Sequence, residues 1–315
     1  MVTSNQKFED SLNLQISLVN SRIAHLQVLK DALQTTIRQI ENDSFDWKDL
    51  ISLVQMTNDD SKIVEQYMDS NNLKVRIQLH NQFSTNPQGW FPWLYSQINF
   101  NGVNRLLEVG CGNGQLWENN SINLRNREFF LSDSSEGMIN EVRQKFGKDF
   151  NCMVVDCEKI PFKDHYFDCI IANHVLFYLN DLDQGLSEIK RVLKPNGIFY
   201  CSTYGKSHMK EIQDIVKGFD ERIELSSNHL YDKFGLENAD ELLKPFFKHI
   251  EKRGYKDSLL INQAQPLIDY IMSCHGNQNE LIGPRMEEFK TYIQEIIEKN
   301  GSIFVSKQAG ILLCR

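Results

Sequence analysis

Two kinds of hydrophobic spacing divide the chain. Near its start, Leu12, Ile16, Val19, Ile23, Leu26, Leu33, Ile37 and Ile40 recur in alternating steps of four and three, interrupted at Lys30. That spacing draws an a/d seam over four heptads, the pattern of a coiled coil. The first 86 residues hold neither glycine nor proline, which favours long helices. "SFDWKDLISLVQM" reads as a second helix with Ser44 as its N-cap, and a third is expected over about Asp60–Met68. Residues 1–70 are thus predicted to be a helical, coiled-coil-like region. So narrow a seam needs a partner helix, either from a second subunit, giving a homodimer, or from the chain's own following helices.

From Asn71 the spacing changes. "LKVRIQLHNQFSTNPQGWFPWLYSQI" mixes aromatic, polar and turn-forming residues. Apolar strand-like runs then alternate with helical patterns. The runs predict strands over Arg105–Val109, Glu128–Ser132, Asn151–Val155, Phe167–Ala172 and Gly197–Thr203. Helices are expected near Gln115–Asn120, Glu136–Phe146, Leu182–Leu193 and Ser207–Phe219. Strand–helix alternation of this kind implies a parallel, doubly wound α/β sheet with right-handed crossovers. Further on, "HIEKRGYKDSLLI" and "SIFVSKQAGILLCR" are β-rich and flank helices at about Gln265–Ser273 and Arg285–Lys299. These two pieces are expected to extend the sheet, the last as an antiparallel edge strand.

The chemistry sits at the predicted strand ends. In "LLEVGCGNGQLW" an apolar strand ends in Glu108 and turns through Gly110, Gly112 and Gly114. Glycines there permit a sharp turn and a close backbone approach to a ligand, where open α/β sheets bind theirs. The spacing is GxGxG after an acid, not the GxGxxG of a dinucleotide site. The acid would repel a pyrophosphate but suits an ammonium group. Asp133, in "FFLSDSSEGM", closes the second strand and can accept from both ribose hydroxyls. Asp156, in "VVDCEKIPF", closes the third and can accept from an adenine amine, with Met138 and Ile160 placed to sandwich the base. Three acids after three successive strands call for a ligand with a cationic end, a ribose and an adenine, and without phosphates.

Composition removes several alternatives. The chain has 315 residues, a formal net charge of −8, 41% hydrophobic and 24% charged residues, as in ordinary globular proteins. An acidic chain is a poor non-specific binder of nucleic acid, and none is expected to bind directly. The seven cysteines form no CxxC pair and no zinc-finger spacing, so no metal is expected. "MVTSNQKFEDSLN" lacks the features of a signal peptide, and no apolar run is long enough to span a bilayer. The reading is a cytoplasmic protein without membrane contact.

From Leu106 to Thr203 the motifs "LLEVGCGNG", "LSDSSEGM", "VVDCEKIPF", "FDCIIANHVLFYL" and "EIKRVLKPNGIFYCST" closely resemble, in order and spacing, the class I S-adenosylmethionine-dependent methyltransferases. The resemblance implies a doubly wound mixed seven-stranded sheet over 71–315. It implies S-adenosyl-L-methionine as cofactor, S-adenosyl-L-homocysteine as product, and a small-molecule methyl acceptor. Position by position, Glu108, Gly110, Cys111 and Gly112 would shape the methionine pocket, and Asp133 with Ser134 would hold the ribose. Met138, Asp156, Cys157 and Glu158 would surround the adenine, and Asn173 would meet the methionine end. "IPF" and "RVLKPNG" look most like the small-molecule methyltransferases of quinone and natural-product pathways. "ANHVLFY" stands where base-modifying amino methyltransferases carry an Asp/Asn-Pro-Pro-aromatic turn.

His174 is the candidate base or orienting group and Tyr178 a second candidate. A base is needed only where the nucleophile carries a proton, and an oxygen or nitrogen nucleophile is expected, with carbon left open. Tyr204 and His208 are expected to line the mouth. Phe83, Ser84, Asn86 and Trp90 are expected in a lid before the first strand, and a substrate cap around 221–248. The helical segment from about Ser11 to Asp69 also resembles the dimerisation helix of MerR-type regulators. That leaves a second reading, a cofactor-binding sensor with little catalysis.

Overall fold

The structure is a computed structural model, and it describes residues 73–118, 127–226, 230–274 and 276–315. The heptad seam from Leu12 to Ile40, the helices expected near Ser44 and over Asp60–Met68, and the MerR-like resemblance all lie outside the described residues.

A helical stretch, α1 (73–83), comes first, followed by α2 (Trp90–Gln97). Then come β1 (Arg105–Val109), β2 (Glu128–Asp133), α3 (Glu136–Phe146), β3 (Asn151–Val154), β4 (Phe167–Asn173), α4 (Leu182–Val192) and β5 (Leu193–Tyr204). The sequence predicts β1 to β4, α3 and α4 to within a few residues. The reasons are local. Ser135 caps α3, its hydroxyl accepting from the Met138 amide, with Glu136 in the first turn, Arg143 and Lys145 in the last, and Gly147 (φ +59°) just beyond. Asp181 caps α4 in the same way by accepting from Gln184.

Two expectations fail here. The helix expected near Gln115–Asn120 is, over its described part, a run of turns, with Trp117 donating to the Gly114 carbonyl. Its tight i→i+3 bonding swings the Trp117 indole inward to Glu108. The fifth strand starts at Leu193 rather than Gly197, because Leu193 already pairs with Phe167 before the register shifts.

The sheet order is β3-β2-β1-β4-β5-β9-β6, where β6 is Ile250–Tyr255 and β9 is Ala309–Cys314. The first five strands are parallel; β9 runs antiparallel to both β5 and β6. This is the mixed seven-stranded, doubly wound sheet expected. The last strand is antiparallel as predicted, yet it is interior, and β6 forms the edge. The sequence carries the reason: all six residues of "AGILLC" are buried, whereas "IEKRGY" keeps exposed charges along its length. The sheet buries both faces. Leu107 and Val109 join one core with Phe167, Phe199 and Phe247; Leu106 joins the other with Trp117, Phe129 and Ile139.

A third core stands apart from the sheet. Ser258–Ile261 (β7) and Ile303–Ser306 (β8) form a separate two-stranded antiparallel ribbon rather than extending the main sheet. Leu259, Ile261, Ile303 and Val305 from that ribbon bury Leu79 and Phe83 of α1, Ile212 and Val216 of α5 (Lys210–Phe219), Ile268 and Ile271 of α6 (Ala264–Met272), and Phe289 of α7 (Met286–Asn300). The segment 221–248, expected as a substrate cap, sends part of its length into the cores. Phe234, Ala239, Leu243 and Phe247 sit under the sheet, and Ile223 is buried in the third core. Among the described residues no helix is long and apolar enough to cross a membrane.

Candidate functional site

The sheet's topological switch lies at β1, which pairs with β2 on one side and β4 on the other. The glycine turn leaves β1 at that point. Gly110 (φ +66°) and Gly112 (φ +54°) have the left-handed backbone that glycine adopts without strain. A Cβ on Gly110 would also collide with the Val175 side chain, and one on Gly112 would meet Leu73 of α1 at 3.2 Å. The turn is bolted to the end of β2. The Asp133 carboxylate accepts from the Gly112 amide through one oxygen and from the Ser135 amide through the other, each at 2.9 Å. Cys111 N–H donates to the Ser132 carbonyl at 2.8 Å, and the Ser132 hydroxyl donates to the Glu108 carbonyl at 2.8 Å.

Glu108 is 1% exposed and accepts from the Trp117 indole N–H at 2.5 Å. Burial pushes its carboxyl up to about 7; the Trp117 bond opposes this and the nearby Asp133 charge adds to it. Glu108 and Asp133 therefore stand within electrostatic reach of one another, as a site for a cationic ligand end needs. Asp156 is exposed at the end of β3, one oxygen accepting from the Glu158 amide. Met138, Ile160 and Cys157 are buried. Ser134 is exposed, and Glu158 is committed elsewhere: its carboxylate accepts from the amides of Asn180 and Asp181, closing the loop before α4.

At the end of β4, Asn173 and His174 are held by a small network. The Asn173 Oδ1 accepts from the Trp90 indole at 3.1 Å and from the Ser202 hydroxyl at 2.7 Å. That same hydroxyl accepts from the His174 amide at 3.0 Å. His174 has φ +56°, a conformation strained for a non-glycine residue, and these bonds sustain it. Its ring lies 4.9 Å from Trp90 and 6.1 Å from Tyr204. Burial, and then the Lys307 charge, lower its imidazole to about 4. So low a basicity fits an orienting group better than a general base. Tyr178 is 55% exposed on the turn that follows, packed on Phe177.

Several partners carried no sequence signal as site residues. α1 turns one face to the site: Leu73 lies over Gly112, Arg76 donates from Nε and Nη2 to Ser273, and His80 stands 6.3 Å from Tyr270. The spacing i, i+3, i+7 in "LKVRIQLH" marks one helix face, and that was the only available hint. His80, His174 and His208 lie within electrostatic reach of one another and of Lys307. Burial leads in lowering all three, His80 to about 3. His208 is committed through Nδ1, which accepts from the Gln308 amide at 3.1 Å. The Nδ1 atoms of His80 and His174 are sealed from solvent without a hydrogen-bond partner. Among the described residues no cluster has the makings of a metal site.

Of the expected lid residues, Trp90 alone reaches Asn173 and His174. Phe83 is buried in the third core; Ser84 donates to Asp257 at 2.7 Å, and the Asn86 amide donates to Asp257 at 3.0 Å. Asp257 is also the partner of Lys307 Nζ at 2.5 Å, and both side chains are buried. Burial raises the Asp257 carboxyl, but the bonds from Lys307 and Ser84 outweigh it and leave it below its ordinary range. Two surface depressions, lined by Arg105, Glu128 and Lys194 among others, lie at the amino ends of the strands, away from this chemistry.

Residues 107–201 match the family described as a methyltransferase domain, a span short of half the chain. The matched span is the one that carries the motifs from Leu106 to Thr203. It is 32% identical over 116 residues to a malonyl-[acyl-carrier protein] O-methyltransferase of Methylovorus sp., covering 34% of this chain and 39% of that protein. It is 32% identical over 107 residues to the mitochondrial arginine-hydroxylase NDUFAF5 of Danio rerio, covering 34% and 33%. A malonyl-[acyl-carrier protein] O-methyltransferase of Bacillus cytotoxicus is 30% identical over 180 residues, covering 49% and 62%. The chain therefore spans less than two thirds of the length of these curated relatives.

Proposed function

We propose that this protein is an S-adenosylmethionine-dependent methyltransferase acting on an oxygen or nitrogen of a small molecule. The observation that carries this reading is the Asp133 carboxylate, which ties the Gly112 turn to the end of β2 at the switch point. The residues fit the cofactor. The left-handed glycines let the backbone approach a ligand closely, the buried Glu108 carboxyl at the base of the turn, held at about 7, can ionise beside a cation, and Asp133 stands at the end of β2 where a ribose would be held. When bound, the cofactor supplies a methyl group already activated on a sulfonium.

The protein's own part is alignment and exclusion of water. Asp133 holds the ribose, Asp156 reads the adenine edge, and Asn173, locked by Trp90 and Ser202, faces the methionine end. α1 roofs the site from Leu73 over Gly112 to His80 beside Tyr270, which suits an acceptor of small cross-section. The curated relatives named for methyl transfer to oxygen support an oxygen nucleophile. The relative named as an arginine-hydroxylase is why turnover must be measured and not only cofactor binding.

The test is calorimetric titration with S-adenosylmethionine and S-adenosylhomocysteine, followed by methyl transfer from a labelled donor to a broad acceptor panel. Micromolar binding with transfer to at least one acceptor is expected. Absence of binding overturns the proposal, and binding without transfer turns it toward the sensor reading.

A further inference from the structure

Asp257 and Lys307 form a buried ion pair, and both members reach toward the carboxyl end of β4. The first arm starts at Asp257. Its Oδ2 accepts from Lys307 Nζ at 2.5 Å, while Oδ1 accepts from the Ser84 hydroxyl at 2.7 Å, the Asn86 amide at 3.0 Å and the Ser258 amide at 2.8 Å. The stretch so gripped leads straight into α2. Asn86 Oδ1 accepts from the Gln88 amide, and the Asn86 carbonyl accepts from the Gly89 amide. Gly89 stands at the N-cap of α2 and has no side chain to cap it, so the helix takes its position from this turn. The second arm starts at Lys307. Its ammonium stands 5.4 Å from the centre of the Tyr255 ring, which meets the Trp90 ring edge-on at 5.3 Å and the Trp93 ring at 5.0 Å. Both arms therefore end on Trp90, the first residue of α2.

Trp90 in turn sets the Asn173 carboxamide. An indole N–H is a donor only, so its 3.1 Å bond selects Oδ1 of Asn173. The Ser202 hydroxyl selects the same atom, because its own oxygen already accepts from the His174 amide. Together they fix which way round the carboxamide stands. Its Nδ2 makes no hydrogen bond among the described residues and is left as a donor. We propose that Asp257 and Lys307 are positioning residues: the ion pair holds Trp90, Trp90 holds the Asn173 carboxamide, and Asn173 Nδ2 donates to the carboxylate at the cofactor's methionine end. The inference rests on the methyltransferase reading above. A buried ion pair adds little net stability over an apolar pair of the same volume, so what it contributes here is geometry. Donors from three separate segments of the chain converge on one carboxylate, and the segment before α2 is one of them.

The experiment compares two ligands on the full chain by calorimetry: S-adenosylhomocysteine, and methylthioadenosine, which lacks the amino-acid end. Asp257→Ala combined with Lys307→Met leaves no buried charge without its partner. This double variant should bind S-adenosylhomocysteine about tenfold or more weakly and methylthioadenosine within about twofold of wild type. Asp257→Asn combined with Lys307→Met keeps the Oδ1 acceptor and should bring S-adenosylhomocysteine back to within about threefold. Trp90→Phe should reproduce the loss by itself and add less than about twofold in the first double variant, because residues acting through one another are not additive. Fluorine NMR of fluorotryptophan-labelled protein, with the Trp90 resonance assigned from Trp90→Phe, should show that resonance shifted in the first double variant and restored in the second. Equal losses for both ligands, no loss for either, additive losses with Trp90→Phe, no restoration by Asp257→Asn, or an unmoved Trp90 resonance overturns the proposal. Failure of wild-type protein to bind either ligand overturns the methyltransferase reading instead, and the fluorine spectra then decide by themselves whether the pair holds Trp90.

Discussion

At the glycine turn, Gly112 bonds Asp133, 21 positions away; across the site, Arg76 bonds Ser273 over 197 positions and Ser84 bonds Asp257 over 173. The cofactor end is thus one strand–turn–strand unit of a parallel sheet, and its partners arrive with the fold's local connectivity. The other end, proposed to face the acceptor, is stitched from α1, the loops after β4 and β5, Tyr270 and Ser273, and the junction between β8 and β9. The difference teaches that the two ends answer to different perturbations. The first should lose ligand affinity when a single carboxylate is removed, and the second should lose structure when a buried tie is cut.

The largest effect is expected at the tie. Asp257→Ala would leave the Lys307 ammonium buried without its counter-charge, the side chains being 0% and 6% exposed in the intact pair. A cost of about 3–5 kcal/mol is expected in denaturant unfolding, because a buried charge stripped of its partner keeps its desolvation penalty. A loss below about 1 kcal/mol would show that the acceptor end does not depend on this pair.

At the cofactor end, Asp133→Ala should weaken S-adenosylmethionine binding by about ten- to a hundredfold, the order of one or two charge-assisted bonds. Calorimetry that finds the affinity unchanged would sink the ribose role, whatever happens at the acceptor end.

Smaller effects come from protons, and the two ends should respond in opposite senses. Burial lowers His80 to about 3 and His174 to about 4 from an ordinary 6.5. Their contribution to stability is complete above about pH 6.5 and is lost as pH falls toward 4, because the unfolded chain then binds protons that the fold refuses. Burial raises Glu108 to about 7 from 4.5. Its contribution is complete below about pH 4.5 and is lost as pH rises through 7, because the fold prefers the protonated acid. His80→Gln should flatten the acid limb of a stability profile, and Glu108→Gln should flatten the neutral limb. Variants that both reproduce the wild-type profile would remove the contrast.

The same contrast governs what could be read from the chain. α3 was legible because its N-cap Ser135, its charge placement and Gly147 follow one another within a dozen positions. The glycine turn with its acid was legible because the turn, the charge and the strand are contiguous. The interior place of β9 was carried by an unbroken apolar run yet was assigned to the edge, since run length alone says less than burial on both faces. Arg76 and His80 shared a helix face, but nothing in the sequence said what that face would meet. Tyr270, Ser273 and Asp257 were invisible, because their partners lie far along the chain.

By itself, then, the sequence determined the alternation of strands and helices, the turn after Glu108 and the acids at successive strand ends, since hydrophobic period, capping and backbone freedom act over a few residues. Only the tertiary structure decided that Asp257 would neutralise Lys307, that Trp90 and Ser202 would lock Asn173, and that Arg76 would bond Ser273. Those contacts depend on which surfaces burial brings together, and burial is settled by the whole folded chain.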